Sequence, residues 1–259
     1  IDNAVLGVLE SSVFIGGKPV QDFAQNLATY TGAGYVIPCA NGTDALQIAM
    51  MALDLKPGDE VITPSFTYIA TTEVVALLNL KPVFVDVDPK TCCIDPKSIE
   101  KAITPRTRAI VPVHLYGQSA AMEEILKKTK RHNLYVIEDN AQAIGAAYTM
   151  SSGKQYKTGT MGTIGTTSFL PSKNLGCYGD GGAILTNDGV LAEKLKMIAN
   201  HGQKLRYYHE MVGCNSRLDA VQAAILNVKI KRLDAYNAAR QKVAAAYNEA
   251  FGTHPKITI

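Results

Sequence analysis

The sequence predicts an α/β protein with a mainly parallel sheet. Short apolar runs recur between Tyr35 and Gly145, and amphipathic stretches separate them. Runs buried on both faces and joined by helices are what a covered parallel sheet requires. Beyond Tyr148 the texture changes to Gly/Ser/Thr-rich loops around two further short runs, and from Val190 onward it becomes helical.

In chain order, Ile1 lies inside a stretch that reads as an amphipathic helix. The strands expected next are Tyr35–Cys39, Glu60–Thr63, Pro82–Val87, Ala109–Val113 and Tyr135–Glu138. Helices are expected over Asp44–Leu53, Ile69–Leu78 and Met122–His132, where apolar residues keep helical spacing. Thr166–Leu170 and Gly182–Thr186 are two more β-like runs. Arg217–Phe251 carries Leu218, Val221, Ala224, Ile225 and Val228 on one face, either as one helix or with a bend within Asn227–Leu233. Right-handed crossovers then gather the carboxyl ends of the strands on one edge, where ligands of open α/β sheets bind.

Composition bounds the function. The chain has 259 residues, enough for a sizeable core, and 47% hydrophobic against 19% charged residues speaks against disorder. A net charge of +3, with dispersed Lys and Arg, gives no nucleic-acid footprint. No run approaches the roughly 20 apolar residues of a membrane helix. Five cysteines without CxxC spacing form neither a zinc ribbon nor a disulfide framework, which predicts a reducing, cytoplasmic setting. Cys92-Cys93 read as packing residues. The chain opens within a helix and stops at Ile259, in what reads as the start of a strand, so a fragment of a longer protein is expected.

Three segments carry chemistry. Ala40-Asn41-Gly42-Thr43-Asp44-Ala45-Leu46 leads from a strand into a helix, and free N–H groups at that helix start suit a phosphate. Taken alone, the segment reads first as plain N-capping by Asn41 or Thr43. Glu138-Asp139 end an apolar strand at the ligand edge; Asp139 suits a protonated ring nitrogen or a turn cap. No His or Cys stands close by in sequence to complete a metal site. Lys173 sits among small polar residues ahead of Gly176-Cys177-Tyr178-Gly179-Asp180-Gly181-Gly182, where a lysine amine with a lowered pKa can form a Schiff base. A phosphate turn, an acid at a strand end and a lysine are the three things pyridoxal phosphate needs. No GxGxxG follows a strand and no GxxxxGK[ST] occurs, so dinucleotide and P-loop readings have no support.

With five segments in the right order, the chain resembles the DegT/DnrJ/EryC1/StrS family of pyridoxal-phosphate-dependent sugar-nucleotide aminotransferases over nearly its whole length. The segments are Asn41 through Leu46, Pro64-Ser65-Phe66-Thr67-Tyr68, Glu138 through Gln142, Ser168 through Gly182, and Asn215-Ser216-Arg217-Leu218-Asp219. The resemblance implies the aspartate-aminotransferase type I fold, with a seven-stranded-type sheet in a large domain at 1–235 and the start of a truncated small domain at 236–259. Lys173 is implied as the Schiff-base lysine and proton shuttle, and Asp139 as the partner of the pyridinium nitrogen. Gln142 is implied to reach the phenolic oxygen, and Tyr68 to stack on the ring. Gly42, Thr43 and Asp44, with the Ser168 hydroxyl, are implied to hold the phosphate. Asn215 is implied to reach the cofactor phosphate of a second subunit, hence a homodimer with shared sites. Arg217 is implied to meet an anionic group on the sugar or to serve as a structural salt bridge.

The reaction so implied moves an amino group from an amino acid, glutamate, to a keto sugar nucleotide in surface-polysaccharide or lipopolysaccharide synthesis. The Lys173 segment most resembles members acting at C3 of a UDP-N-acetylhexosamine derivative. A sugar dehydratase of the same fold carries histidine where Lys173 stands; a non-catalytic pocket protein is the third reading. His114 reads as pocket-lining or structural, and Lys204 to Tyr208, flanked by His201 and His209, as a weaker nucleotide contact.

Overall fold

In the computed structural model, which describes residues 1–258, helices α1 (Asp2–Ser11) and α2 (Gly17–Thr31) precede the first strand, β1 (Tyr35–Cys39). Gly32, in the left-handed region at φ 78°, ends α2. Helix α3 (Gly42–Ala52) starts two residues before its apolar pattern, because Asn41 is its N-cap and accepts the Asp44 amide. Strand β2 (Glu60–Pro64), helix α4 (Ala70–Leu77) and strand β3 (Lys81–Val85) follow. Asp95 caps α5 (Pro96–Ala102) through the amides of Lys97 and Ser98, with Pro96 in the first turn. Next come β4 (Thr107–Ile110), α6 (Met122–His132) and β5 (Tyr135–Asp139). Glu123 and Glu124 at the start of α6, and Lys130, Arg131 and His132 at its end, both match the helix dipole.

The hairpin β6 (Ala147–Thr149)–β7 (Gln155–Lys157) leads to β8 (Ile164–Ser168) and β9 (Gly182–Thr186). Helix α7 (Gly189–Ala199) is capped by Asp188, and a small hairpin follows, β10 (Gln203–Leu205) with β11 (Tyr208–His209). Helix α8 (Ala220–Lys229) and α9 (Leu233–Phe251) are separated by a short 3₁₀ turn at Ile230–Arg232, so the bend is real.

The main sheet has seven strands in the order β1-β9-β8-β5-β4-β2-β3. All pairings are parallel except those of β9, which runs against β1 and β8. Successive residues of the strands face opposite layers. Val61, Ala109, Val111, Ile137 and Ile184 pack with residues of α3, α4 and α7. Ile62, Ile110 and Val136 pack with α5 and α6, while Val36, Ala183 and Leu185 pack with α2 and α8. Three layers, helix–sheet–helix, are the consequence.

Several expectations shift. The strand read at Thr166–Leu170 lies at Ile164–Ser168, because Gly165 hides its start. A Cβ on Gly165 would stand 2.0 Å from the Gly159 carbonyl oxygen, so β8 needs glycine there. The run read at Ala109–Val113 forms β4 two residues earlier, and Val113 pairs instead with Asp139 in an isolated bridge. Helices α2 and α5 and both hairpins were not apparent in the sequence pattern. Residues 252–258 form turns rather than a strand, and Ile259 lies outside the described residues. No described helix is long and apolar enough to cross a membrane.

Candidate active site

The pairings Asp139–Thr166, Ser168–Gly182 and Cys39–Gly182 set the carboxyl ends of β5, β8 and β1 side by side. A cavity of about 560 Å³ opens there, a size that suits a small cofactor. Gly42, Thr43, Asp44, Tyr68, Asp139, Gln142, Ser168 and Lys173 all line it.

The phosphate end is built by α3. The first amides of a helix lack internal partners. Asp44's is taken by Asn41 Oδ1 at 2.8 Å and Ala45's by the Asn41 carbonyl, which leaves those of Gly42 and Thr43 for a ligand. The Asp44 carboxylate faces the other way and accepts from Ser216 Oγ at 2.7 Å; that oxygen in turn accepts the Ala40 amide. Asp44 therefore braces the turn. Gly42 is the tight point: a Cβ there would lie 2.7 Å from Ser168 Cβ, so only glycine lets the helix start approach the Ser168 hydroxyl.

The acid end is buried. Asp139 is 6% exposed; its Oδ2 accepts from Thr71 Oγ1 at 2.8 Å and its Oδ1 from the Ala141 amide at 3.2 Å. Burial raises its pKa above the usual carboxylate range, while the Thr71 hydroxyl, the Ala141 amide and the nearby His114 and Lys173 pull it down. Behind it, His114 is fully buried. Its Nδ1 accepts the Ala120 amide at 3.1 Å, so its Nε2–H donates to Glu138 Oε2 at 2.8 Å. Glu138 also accepts the amides of Gly159, Met161 and Gly162. His114 and Glu138 are thus structural: they clamp the 159–162 turn to β5, and neither reaches the cavity.

Gln142 Oε1 accepts the Tyr116 amide at 2.7 Å. A backbone N–H can only donate, so the Gln142 oxygen must face it and the NH₂ is left to donate into the cavity. Lys173 is half-buried, with its amide on the Leu170 carbonyl at 2.8 Å. Tyr68 stands at the mouth, 71% exposed. Two predicted residues lie elsewhere. Asn215 and Arg217 are exposed and line a separate surface cavity with Asp180, Asp219 and Gln222. Lys204 to Tyr208 sit on the exposed β10–β11 hairpin, away from the cavity.

Nothing in the sequence pattern marks Thr71, whose contact with Asp139 spans 68 positions. Thr67, whose hydroxyl lies 3.4 Å from that of Thr71, was likewise invisible as a wall residue, although its segment was singled out.

The donor set fits pyridoxal phosphate. Two free amides at a helix start, backed by a hydroxyl, suit a dianion. A buried acid suits a protonated ring nitrogen, an amide NH₂ suits a phenolate oxygen, and a lysine amine opens onto the same space.

A family model for the DegT/DnrJ/EryC1/StrS aminotransferase family matches residues 1–259. Over 248 residues the chain is 53% identical to UDP-2-acetamido-2-deoxy-3-oxo-D-glucuronate aminotransferase of Pseudomonas aeruginosa, covering 96% of the chain and 68% of that protein. Among solved structures it is similar to S. venezuelae DesV at a TM-score of 0.94 and 43% identity, covering 98% of the chain and 67% of DesV. It is also similar to ntda of Bacillus subtilis with bound cofactor PMP, at 0.88 and 38%, covering 95% and 55%. The chain spans about two thirds of the length of the curated relatives it matches.

Proposed function

The chain belongs to the DegT/DnrJ/EryC1/StrS aminotransferase family, and we propose that it binds pyridoxal phosphate and transfers an amino group from L-glutamate to a keto sugar nucleotide. The observation that carries this is the convergence of Lys173, Asp139, Gln142 and the start of α3 on one cavity. When bound, pyridoxal phosphate supplies an aldehyde for the amino group and a protonated ring that stores an electron pair.

The residues divide the remaining work. The amides of Gly42 and Thr43 and the Ser168 hydroxyl bind the phosphate, and Tyr68 covers the ring. Asp139, ionised, holds the proton on the ring nitrogen. The Gln142 NH₂ donates to the ring oxygen. Lys173 Nζ holds the group in place and, once released by the incoming amine, moves the proton to and from the reacting substrate carbon. Lysine rather than histidine at position 173 favours amino transfer over the dehydratase chemistry of this fold.

The finer reading is a 3-keto UDP-N-acetylhexosamine derivative as acceptor, in surface-polysaccharide synthesis in the cytoplasm. Support comes from the name of the Pseudomonas relative and from Arg217, whose guanidinium suits a carboxylate on the sugar. Asn215 and Arg217 do not line this chain's own cofactor cavity but the one that adjoins it across Asp180, which supports a homodimer in which each subunit completes the other's site. Residues 1–235 are proposed as the cofactor-binding domain and 236–259 as the start of a second.

The test is an absorbance spectrum of the chain with added pyridoxal phosphate. A band of lysine-bound cofactor near the visible edge is expected; it should vanish in Lys173→Ala and bleach with glutamate. A folded wild-type chain without that band would overturn the proposal, and a full-length protein that aminated 4-keto sugars alone would remove the C3 reading.

A further inference from the structure

From Ala238 to Phe251 every residue of α9 is exposed, so the helix is held by its first two turns. Leu233 is buried there. Asp234 Oδ1 accepts from the Tyr30 hydroxyl at 2.5 Å. The third anchor is Asn237, and it makes a different kind of connection. Its Oδ1 accepts from Asn174 Nδ2 at 2.7 Å, and its Nδ2 donates to the Ile144 carbonyl at 3.2 Å. A carbonyl oxygen can only accept, so this orientation of the amide is forced.

Both partners adjoin residues that line the cofactor cavity. Asn174 follows Lys173 directly, and Ile144 lies two residues after Gln142. One side chain on α9 therefore bridges the loop that carries the lysine and the loop that carries the ring-oxygen donor. Gly145 shows how closely the three parts meet. It has φ +92°, and a Cβ there would lie 2.6 Å from Asn237 Nδ2 and 2.6 Å from the Tyr30 hydroxyl. Lys157 Nζ holds the Gly145 carbonyl from the other side at 3.0 Å.

We propose that Asn237 is a positioning residue that sets the spacing between the Lys173 loop and the Gln142–Gly145 loop, so that the placement of α9 governs the geometry of the cofactor pocket. This rests on Lys173 being the cofactor lysine. A plain anchor for α9 would need a single contact to the body of the protein; a bidentate bridge between two catalytic loops fixes their separation as well.

The experiment is hydrogen–deuterium exchange on the cofactor-free chain, for wild type, Asn237→Ala and Asn237→Asp. Losing both bonds in Asn237→Ala should speed exchange about tenfold in 142–146 and in 170–176, the equivalent of one net hydrogen bond, with β4 and β5 unchanged. Asn237→Asp keeps the acceptor for Asn174 but turns a carboxylate oxygen toward the Ile144 carbonyl. It should loosen 142–146 and leave 170–176 at the wild-type rate. On adding pyridoxal phosphate, the lysine-bound band should form about tenfold more slowly in Asn237→Ala, and more slowly than wild type in Asn237→Asp too, because the bridge is then broken at its Ile144 end. Wild-type exchange of both loops in Asn237→Ala, or an increase confined to α9, overturns the inference. Absence of the band in wild type would instead remove the proposed function and leave the exchange result to decide the coupling.

Discussion

Asp139→Asn should stabilise the cofactor-free protein while weakening cofactor binding. Asp139 is buried and has one internal donor on each oxygen, Thr71 and the Ala141 amide. Burial raises its pKa. A carboxyl whose pKa is higher in the folded than in the unfolded chain binds more protons when folded, so stability falls as pH rises from the unfolded pKa through the folded one. Above the folded pKa the empty site carries that whole penalty. Asparagine removes it and keeps both contacts: its Oδ1 can take the Ala141 amide, and its Nδ2 can donate to the Thr71 hydroxyl, which accepts as readily as it donates.

With cofactor the sign reverses. A protonated ring nitrogen supplies the counter-charge that the carboxylate lacks, and one charge-assisted hydrogen bond is worth about 1.5–3 kcal/mol. Losing it should weaken pyridoxal phosphate binding roughly 10- to 150-fold. Thermal melting without cofactor at pH 7 and at pH 4, together with a cofactor titration followed by absorbance, reads both arms. The variant should melt above wild type at pH 7, with the gap closing toward pH 4. A variant that binds cofactor as tightly as wild type, or that melts lower without it at pH 7, would refute the reasoning.

Three further changes test separate parts of the structure. Thr71→Val removes the strongest of the groups that hold Asp139's pKa down. Cofactor affinity should fall about fivefold, for roughly 1 kcal/mol, and its acid limb should move to higher pH, with Thr71→Ser restoring both; an unchanged titration counts against the Thr71 role. Gly42→Ala places a methyl 2.7 Å from Ser168 Cβ, and the overpacking should cost about 1–3 kcal/mol of stability and loosen phosphate binding, read by urea melts and the same titration. Glu60, at the amino end of β2 and so at the sheet edge opposite the cavity, has its pKa held down to about 2 by the Thr104 hydroxyl, Arg106 and Lys81. Its contribution is therefore present above the usual 4.5 and lost as pH falls toward about 2, so Glu60→Gln should flatten that part of the acid-unfolding curve and leave cofactor affinity alone.

What the sequence made legible and what it left out divide along a physical line. Apolar runs such as Tyr35–Cys39 and Tyr135–Asp139 announce themselves because burial on both faces selects every residue in them. Topology then places whatever follows such a run, so Asn41 to Asp44 and Asp139 were readable as ligand-edge residues before any coordinates. Lys173 was readable through the company it keeps in Pro171-Ser172-Lys173-Asn174, once the acid and the turn were in place. The groups that tune those residues were not readable. Thr71 looks like any helix threonine until α4 is laid against β5, and Gly165 lies outside the apparent strand until Gly159 is seen against its Cα. Even the Gln142 assignment, which the resemblance implied, acquires its physical basis in Tyr116, whose amide decides which end of the side chain faces the cavity. A strand end is fixed by local pattern and chain direction, whereas a hydrogen-bond partner across 68 positions is fixed only by packing. That is why residues that line the cavity could be named from sequence while those that set their charge and orientation needed the fold.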